Sequence, residues 1–98
     1  MEKGTAHYKL AVVKALIQME KVRATKSARE GAAALGFDFD AVIGVVMALT
    51  QADFYKSMTT HADHKVWQDV YRPATETGAV YLKLTVIEDV LVVSFKEL

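Results

Sequence analysis

The chain contains no cysteine, and that removes several kinds of chemistry at once. A disulfide framework, a thiol nucleophile and a thiolate-based zinc site all require it. Proline occurs once, at Pro73, and the five glycines form no phosphate-cradling loop. No GxSxG elbow is present, so neither nucleotide hydrolysis nor acyl transfer has support. Charge of one sign is also missing, because twelve basic residues balance twelve acidic ones. No global field therefore draws nucleic acid, and any anion site must arise from local clustering. The longest apolar run, Ala41 to Leu49, falls far short of the ~20 residues of a membrane span. The first ten residues, MEKGTAHYKL, carry no signal-peptide apolar stretch. Together these absences predict a cytoplasmic protein with no membrane partner, no metal and no cofactor.

What is present is a globular composition. Of 98 residues, 52% are apolar, enough for one core and hence one domain over residues 1–98. Residues 1–8 are polar and patternless, and are expected to lie loose apart from a short extended piece at His7-Tyr8. From Lys9, Leu10, Val13, Leu16 and Ile17 follow helical spacing to about Glu20. Ser27-x-x-Glu30 reads as a capping box for a second helix, ended by Gly36 as the residue beyond its C-cap. Asp38 caps a third helix through Leu49, with Asp40 complementing its dipole. Asp38 and Asp40 read better as that helix start than as a hydrolytic carboxylate pair.

After Asp53 the period changes to two. FYKSMTT (54–60) places Phe54, Lys56 and Met58 on one face, with Tyr55, Ser57 and Thr59 on the other. In VWQDVYR (66–72), Gln68, Val70 and Arg72 fall together, as do Trp67 and Tyr71. A three-residue loop at His61-Ala62-Asp63 pairs Lys56 with Gln68; a four-residue loop pairs it with Asp69. Pro73 stops the strand. The last stretch, Thr77 to Leu98, reads as a second hairpin turning at Glu88-Asp89. A two-residue turn there pairs Leu82 with Phe95, Leu84 with Val93 and Val86 with Leu91 as the core face. It leaves Val90 and Val92 opposite, and sets Tyr81 against Lys96 and Lys83 against Ser94, side chains about 5 Å apart at Cβ. Three helices followed by two hairpins define an α+β fold, with helices covering one face of an antiparallel sheet.

His61 and His64 flank Asp63, but without cysteines or a further paired histidine they read as a solvated loop. The chemistry sits on the strands, in Lys56, Gln68, Arg72, Tyr81, Lys83 and Lys96. Five of these six hydrogen-bond anions strongly, and Tyr81 donates or accepts a proton. A solvated sheet face dressed with lysine and tyrosine is the plain alternative.

The same residues carry a resemblance. DFYKSMTT (53–60), VWQDVYRP (66–73), TGAVYLKLTVIEDVL (77–91) and VSFKE (93–97) are similar to the MqsR toxins, the motility quorum-sensing regulators. MEK at 1–3, the VR-T-SA stretch at 22–28 and LGFDFD at 35–40 match as well, so the resemblance spans the chain. It implies a RelE-like toxin of a type II toxin–antitoxin pair. It further implies a ribosome-independent endoribonuclease that cuts mRNA at GCU-type sites and inhibits translation and growth. The family's functional positions fall on Lys56, Gln68, Tyr81 and Lys96. The implied partner is a zinc-binding antitoxin that carries the DNA recognition, and this chain alone is expected to show no sequence-specific DNA binding.

Metal-free RNA cleavage needs a base for the 2′-hydroxyl proton, cations on the transition state and an acid for the leaving 5′-oxygen. Lys56, Lys96 and Arg72 supply charge. Tyr81, its pKa lowered by neighbouring ammonium groups, is a candidate acid or base, and a lysine of depressed pKa is the alternative base. Gln68 orients by hydrogen bonds, and Lys83 is a further substrate contact. The competing readings are a non-catalytic RNA- or protein-binding module and a purely structural partner.

Overall fold

The computed structural model describes residues 1–98. Three helices, α1 (Leu10–Gln18), α2 (Lys26–Ala34) and α3 (Phe39–Met47), accompany seven strands. The strands are β1 (Glu2–Lys3), β2 (Val22–Ala24), β3 (Phe54–Thr59), β4 (Trp67–Tyr71), β5 (Ala74–Thr75), β6 (Gly78–Ile87) and β7 (Asp89–Glu97). The sheet order is β1-β3-β4-β6-β7-β2, with β5 attached to β6. The fold is α+β. No helix is long and apolar enough to cross a membrane.

The helices form where their apolar spacing allows one buried stripe. Leu10, Val13 and Ile17 of α1, Ala28 and Ala32 of α2, and Val42 and Val46 of α3 are buried. They close over Val80, Leu82, Leu84, Val90, Val92 and Phe95 of the central hairpin. Asp38 accepts the Ala41 N–H at 2.8 Å, as its position predicts, and Gly36 beyond α2 has φ +86°, which glycine adopts without strain. Gly31 is small for another reason. A Cβ there would overlap the carbonyl oxygen of Phe95, so only glycine lets α2 lie this close to β7.

Several expectations are corrected. The N-cap of α2 is Thr25 rather than Ser27; its hydroxyl accepts the Ala28 N–H at 3.0 Å and donates to the Val93 carbonyl at 2.9 Å, tying helix to sheet. The sheet is mixed, because β2 pairs in parallel with β7, Val22 opposite Val90. Three residues are too few to show a period, which hid this strand. The N-terminus is not loose. β1 pairs antiparallel with β3, Glu2 opposite Met58, and the following segment crosses to the buried Asp69. That carboxylate accepts the backbone N–H groups of His7 at 3.0 Å and Tyr8 at 2.9 Å. His7 stacks on Trp67 and the Lys3 ammonium lies 4.2 Å from the same ring centroid, so this half of the sheet is covered by the N-terminal segment.

Both hairpin registers also differ in part. In β6–β7 the pairs Tyr81–Lys96, Leu82–Phe95 and Lys83–Ser94 stand as expected. Beyond them a β-bulge adds one residue to β7, so Leu84 faces Val92, and Val86 faces Val90. Val90 and Val92 are therefore buried, while Leu91 and Val93 are partly exposed, the reverse of the expected faces there. The turn tightens to match: Ile87 pairs with Asp89, and Glu88 alone rounds the corner at φ +64°. In β3–β4 the connection is longer than either proposed loop, and Lys56 faces Val70 rather than Gln68 or Asp69.

Candidate active site on the open face of the sheet

The register brings the candidate residues into rows. Lys56, Val70, Lys83 and Ser94 lie opposite one another across β3, β4, β6 and β7. Tyr81 and Lys96 form the adjoining pair, two residues along their strands and so on the same face. Gln68 faces Met58, two residues from Val70 on that face, and Arg72 follows directly after β4. The buried Val70 makes an apolar floor between the lysine stems.

Tyr81 stands between two ammonium groups. Lys96 Nζ is 5.2 Å and Lys83 Nζ 5.9 Å from its ring centroid, within the range of cation–π attraction. Burial, then the charges of Lys96 and Lys56, push the Lys83 amine below the ordinary lysine range. Lys56 shifts the opposite way. It forms an ion pair with Glu2, and that hydrogen bond raises its pKa while lowering that of the Glu2 carboxyl. The two lysines thus differ in readiness to release a proton, although they lie on one row.

Sequence reasoning missed two members of this surface. Tyr55 is the extra residue of a β-bulge between Phe54 and Lys56, and the bulge re-aims it. Its ring lies 3.8 Å from the Arg72 guanidinium carbon and 5.3 Å from Lys56 Nζ. Phe54 turns instead to the core, edge-on to Tyr71, so Phe54 and Lys56 do not share a face. Glu2 was missed because contact with Lys56 depends on β1, and a two-residue strand leaves no pattern. Gln68 keeps its side-chain carbonyl oxygen buried with no partner. His61 and His64 sit in the β3–β4 connection, and no group of three or more His, Cys, Asp and Glu gathers to hold a metal.

Four cations and two tyrosines thus meet on one sheet face against a single nearby carboxylate, although the chain is neutral overall. Fold and face define an α+β protein with a cation-lined surface suited to a polyanion. The family described as motility quorum-sensing regulator, toxin of MqsA, matches residues 5–97, and the chain belongs to this MqsR toxin family. Among its relatives is the mRNA interferase toxin MqsR of Escherichia coli (strain K12). That protein is 58% identical over 97 residues, covering 99% of each chain.

Proposed function

We propose that the chain is an mRNA interferase, an endoribonuclease that acts as the toxin of a toxin–antitoxin pair. The observation that carries this reading is the Tyr81–Lys96 pair beside Lys83 and Lys56 on one face. The name of the 58% identical relative supports it. The chain acts as one RelE-like domain over residues 1–98, in the cytoplasm, without metal or cofactor and independently of the ribosome. Its preference is for GCU-type sites.

Cleavage proceeds by transfer of the phosphoryl group to the neighbouring hydroxyl. A base takes the 2′-hydroxyl proton, O2′ attacks phosphorus, and the P–O5′ bond breaks as an acid protonates the leaving oxygen. The products are a 2′,3′-cyclic phosphate and a 5′-hydroxyl. Lys56, Lys96 and Arg72 stabilise the charge that develops on the phosphorane oxygens. Tyr81 serves as acid or base. Lys83, whose amine burial and the neighbouring Lys96 and Lys56 charges push below the ordinary lysine range, is the alternative base. Gln68, whose carbonyl oxygen lacks a protein partner, orients a donor group of the RNA.

The partner is a zinc-binding antitoxin that reads the operator, so this chain acts on transcription only through it. Incubating pure protein with a long mRNA in the presence of EDTA tests the reading. Specific cuts that survive chelation, ending in cyclic phosphate, are expected. Intact transcript bound by the protein would leave a non-catalytic RNA-binding module instead.

A further inference from the structure

Beside Lys56 the open face continues into a cavity of about 480 Å³ that the cleavage chemistry does not use. Glu2 and Lys56 form one wall, Met58 and Thr59 line it from β3, and His61 and His64 close it from the β3–β4 connection. Its volume lies within the roughly 300–1,000 Å³ of small-molecule sites. Its lining suits one unit of a nucleic acid strand. Met58 offers an apolar surface for a base, and imidazole rings stack on bases or donate to phosphate oxygens. The same Lys56 borders the cavity and begins the row that leads to Lys83 and Ser94. A strand crossing the face at Lys56 therefore meets the cavity that Lys56 borders.

We propose that this cavity is a nucleotide subsite, holding the nucleotide adjacent to the scissile phosphodiester between Met58 of β3 and the His61 and His64 side chains. The assignment rests on the ribonuclease reading above. It gives the two histidines a role in substrate length and grip rather than in metal binding or proton transfer. Both are exposed loop residues, so replacing them leaves the folded core untouched.

The test is a set of oligoribonucleotides that share one cleavage site and grow by single nucleotides, first on the 5′ side and then on the 3′ side. With the wild-type chain, KM should fall about tenfold or more at one added nucleotide on one side only, the scale of one stacked base. In the His61→Ala/His64→Ala double variant that step should vanish, so longer and shorter substrates are held alike. Met58→Asp, which removes the apolar wall, should abolish the same step. A length step of equal size in the wild type and both variants overturns the subsite, as does a wild type with no step on either side. Failure of the wild type to cut any RNA is a different result: it overturns the ribonuclease reading itself, and the subsite with it.

Discussion

The two hairpins that build the candidate site are made on different plans. β6 and β7 are ten and nine residues long and turn on Glu88 alone. Their inward side chains are sealed by three helices. β3 and β4 are six and five residues long, joined through a long polar connection, and much of their inner face is covered by an extended segment anchored on Asp69. A long strand with one sealed face has its register fixed by burial, since a one-residue slip would expose the whole core set. A short strand with a long loop has no such constraint. Its register depends on distant partners, here Ser57 opposite both Lys3 and Asp69. The lesson is that the site's two sides differ in how firmly they are held: Tyr81, Lys83 and Lys96 stand on the sealed hairpin, whereas Lys56 and Gln68 stand on the other.

The largest expected effect tests the sealed side. Phe95→Ala should cost about 3–5 kcal/mol, because the ring is fully buried and packs on Phe37 at 5.2 Å between centroids. Val93→Ala should cost under about 1 kcal/mol, since the bulge turns that residue toward solvent. Urea unfolding of both variants decides it. Equal losses would mean that β7 runs without its bulge.

Next come the chemical residues, one group from each hairpin. Tyr81→Phe and Lys96→Ala should each reduce mRNA cleavage by about tenfold to a thousandfold, the range for one acid/base or charge-stabilising group. Lys56→Ala should do the same from the other side, with melting temperatures nearly unchanged in all three. Full activity in Lys56→Ala alone would confine the reaction to β6–β7 and break the idea of a site shared by both hairpins.

How much of this was legible follows from the same contrast. Tyr81 opposite Lys96 could be read from alternation, because both flank buried neighbours, Leu82 and Phe95, that fix the phase. The bulge at Val93 could not, since Leu91, Val92 and Val93 are apolar on either face. Lys56 was identified as a site residue without its true partner Val70, because the loop length was open. Glu2, Tyr55 and the parallel strand β2 left no signal: each depends on a two- or three-residue strand or on a bulge. Ser27 resembles the cap because Glu30 completes the expected motif, yet the cap is Thr25. In the fold, Thr25 gains a second hydrogen bond from its place beside Val93.

Two glycines sharpen the comparison between sealed and open packing. Ala is favoured over Gly in a helix by roughly 1 kcal/mol. At Gly44 of α3 nothing lies near an added methyl group, so Gly44→Ala should stabilise by about that amount. At Gly31 the methyl group meets the Phe95 carbonyl, and backbone cannot step aside cheaply. Gly31→Ala should therefore destabilise by about 1–3 kcal/mol despite the better propensity. Thermal unfolding that shifts both variants in the same direction would mean α2 is not seated on β7 as closely as described.

The smallest effect at neutral pH lies where the two hairpins meet. Tyr71 of β4 is fully buried beside β6, opposite Leu82, and its hydroxyl has no hydrogen-bond partner. Burial, with help from the Asp69 and Asp53 carboxylates, pushes the hydroxyl up to about 12 from the ordinary tyrosine value near 10. A folded-state pKa above the unfolded one means that the folded chain holds the proton more tightly. The stability linked to that proton is complete below about pH 10 and is lost as pH rises through about 12. Phenylalanine has no proton to lose. Tyr71→Phe should match or slightly exceed the wild type at neutral pH, by up to about 1 kcal/mol, because it deletes an unpaired buried polar atom and keeps the ring against Phe54. Its advantage should then widen by about 2 kcal/mol between pH 10 and about 12. Parallel stability curves for the two chains across that window, measured by urea unfolding, would show that the hydroxyl is reached by solvent and that the seam between the hairpins is open.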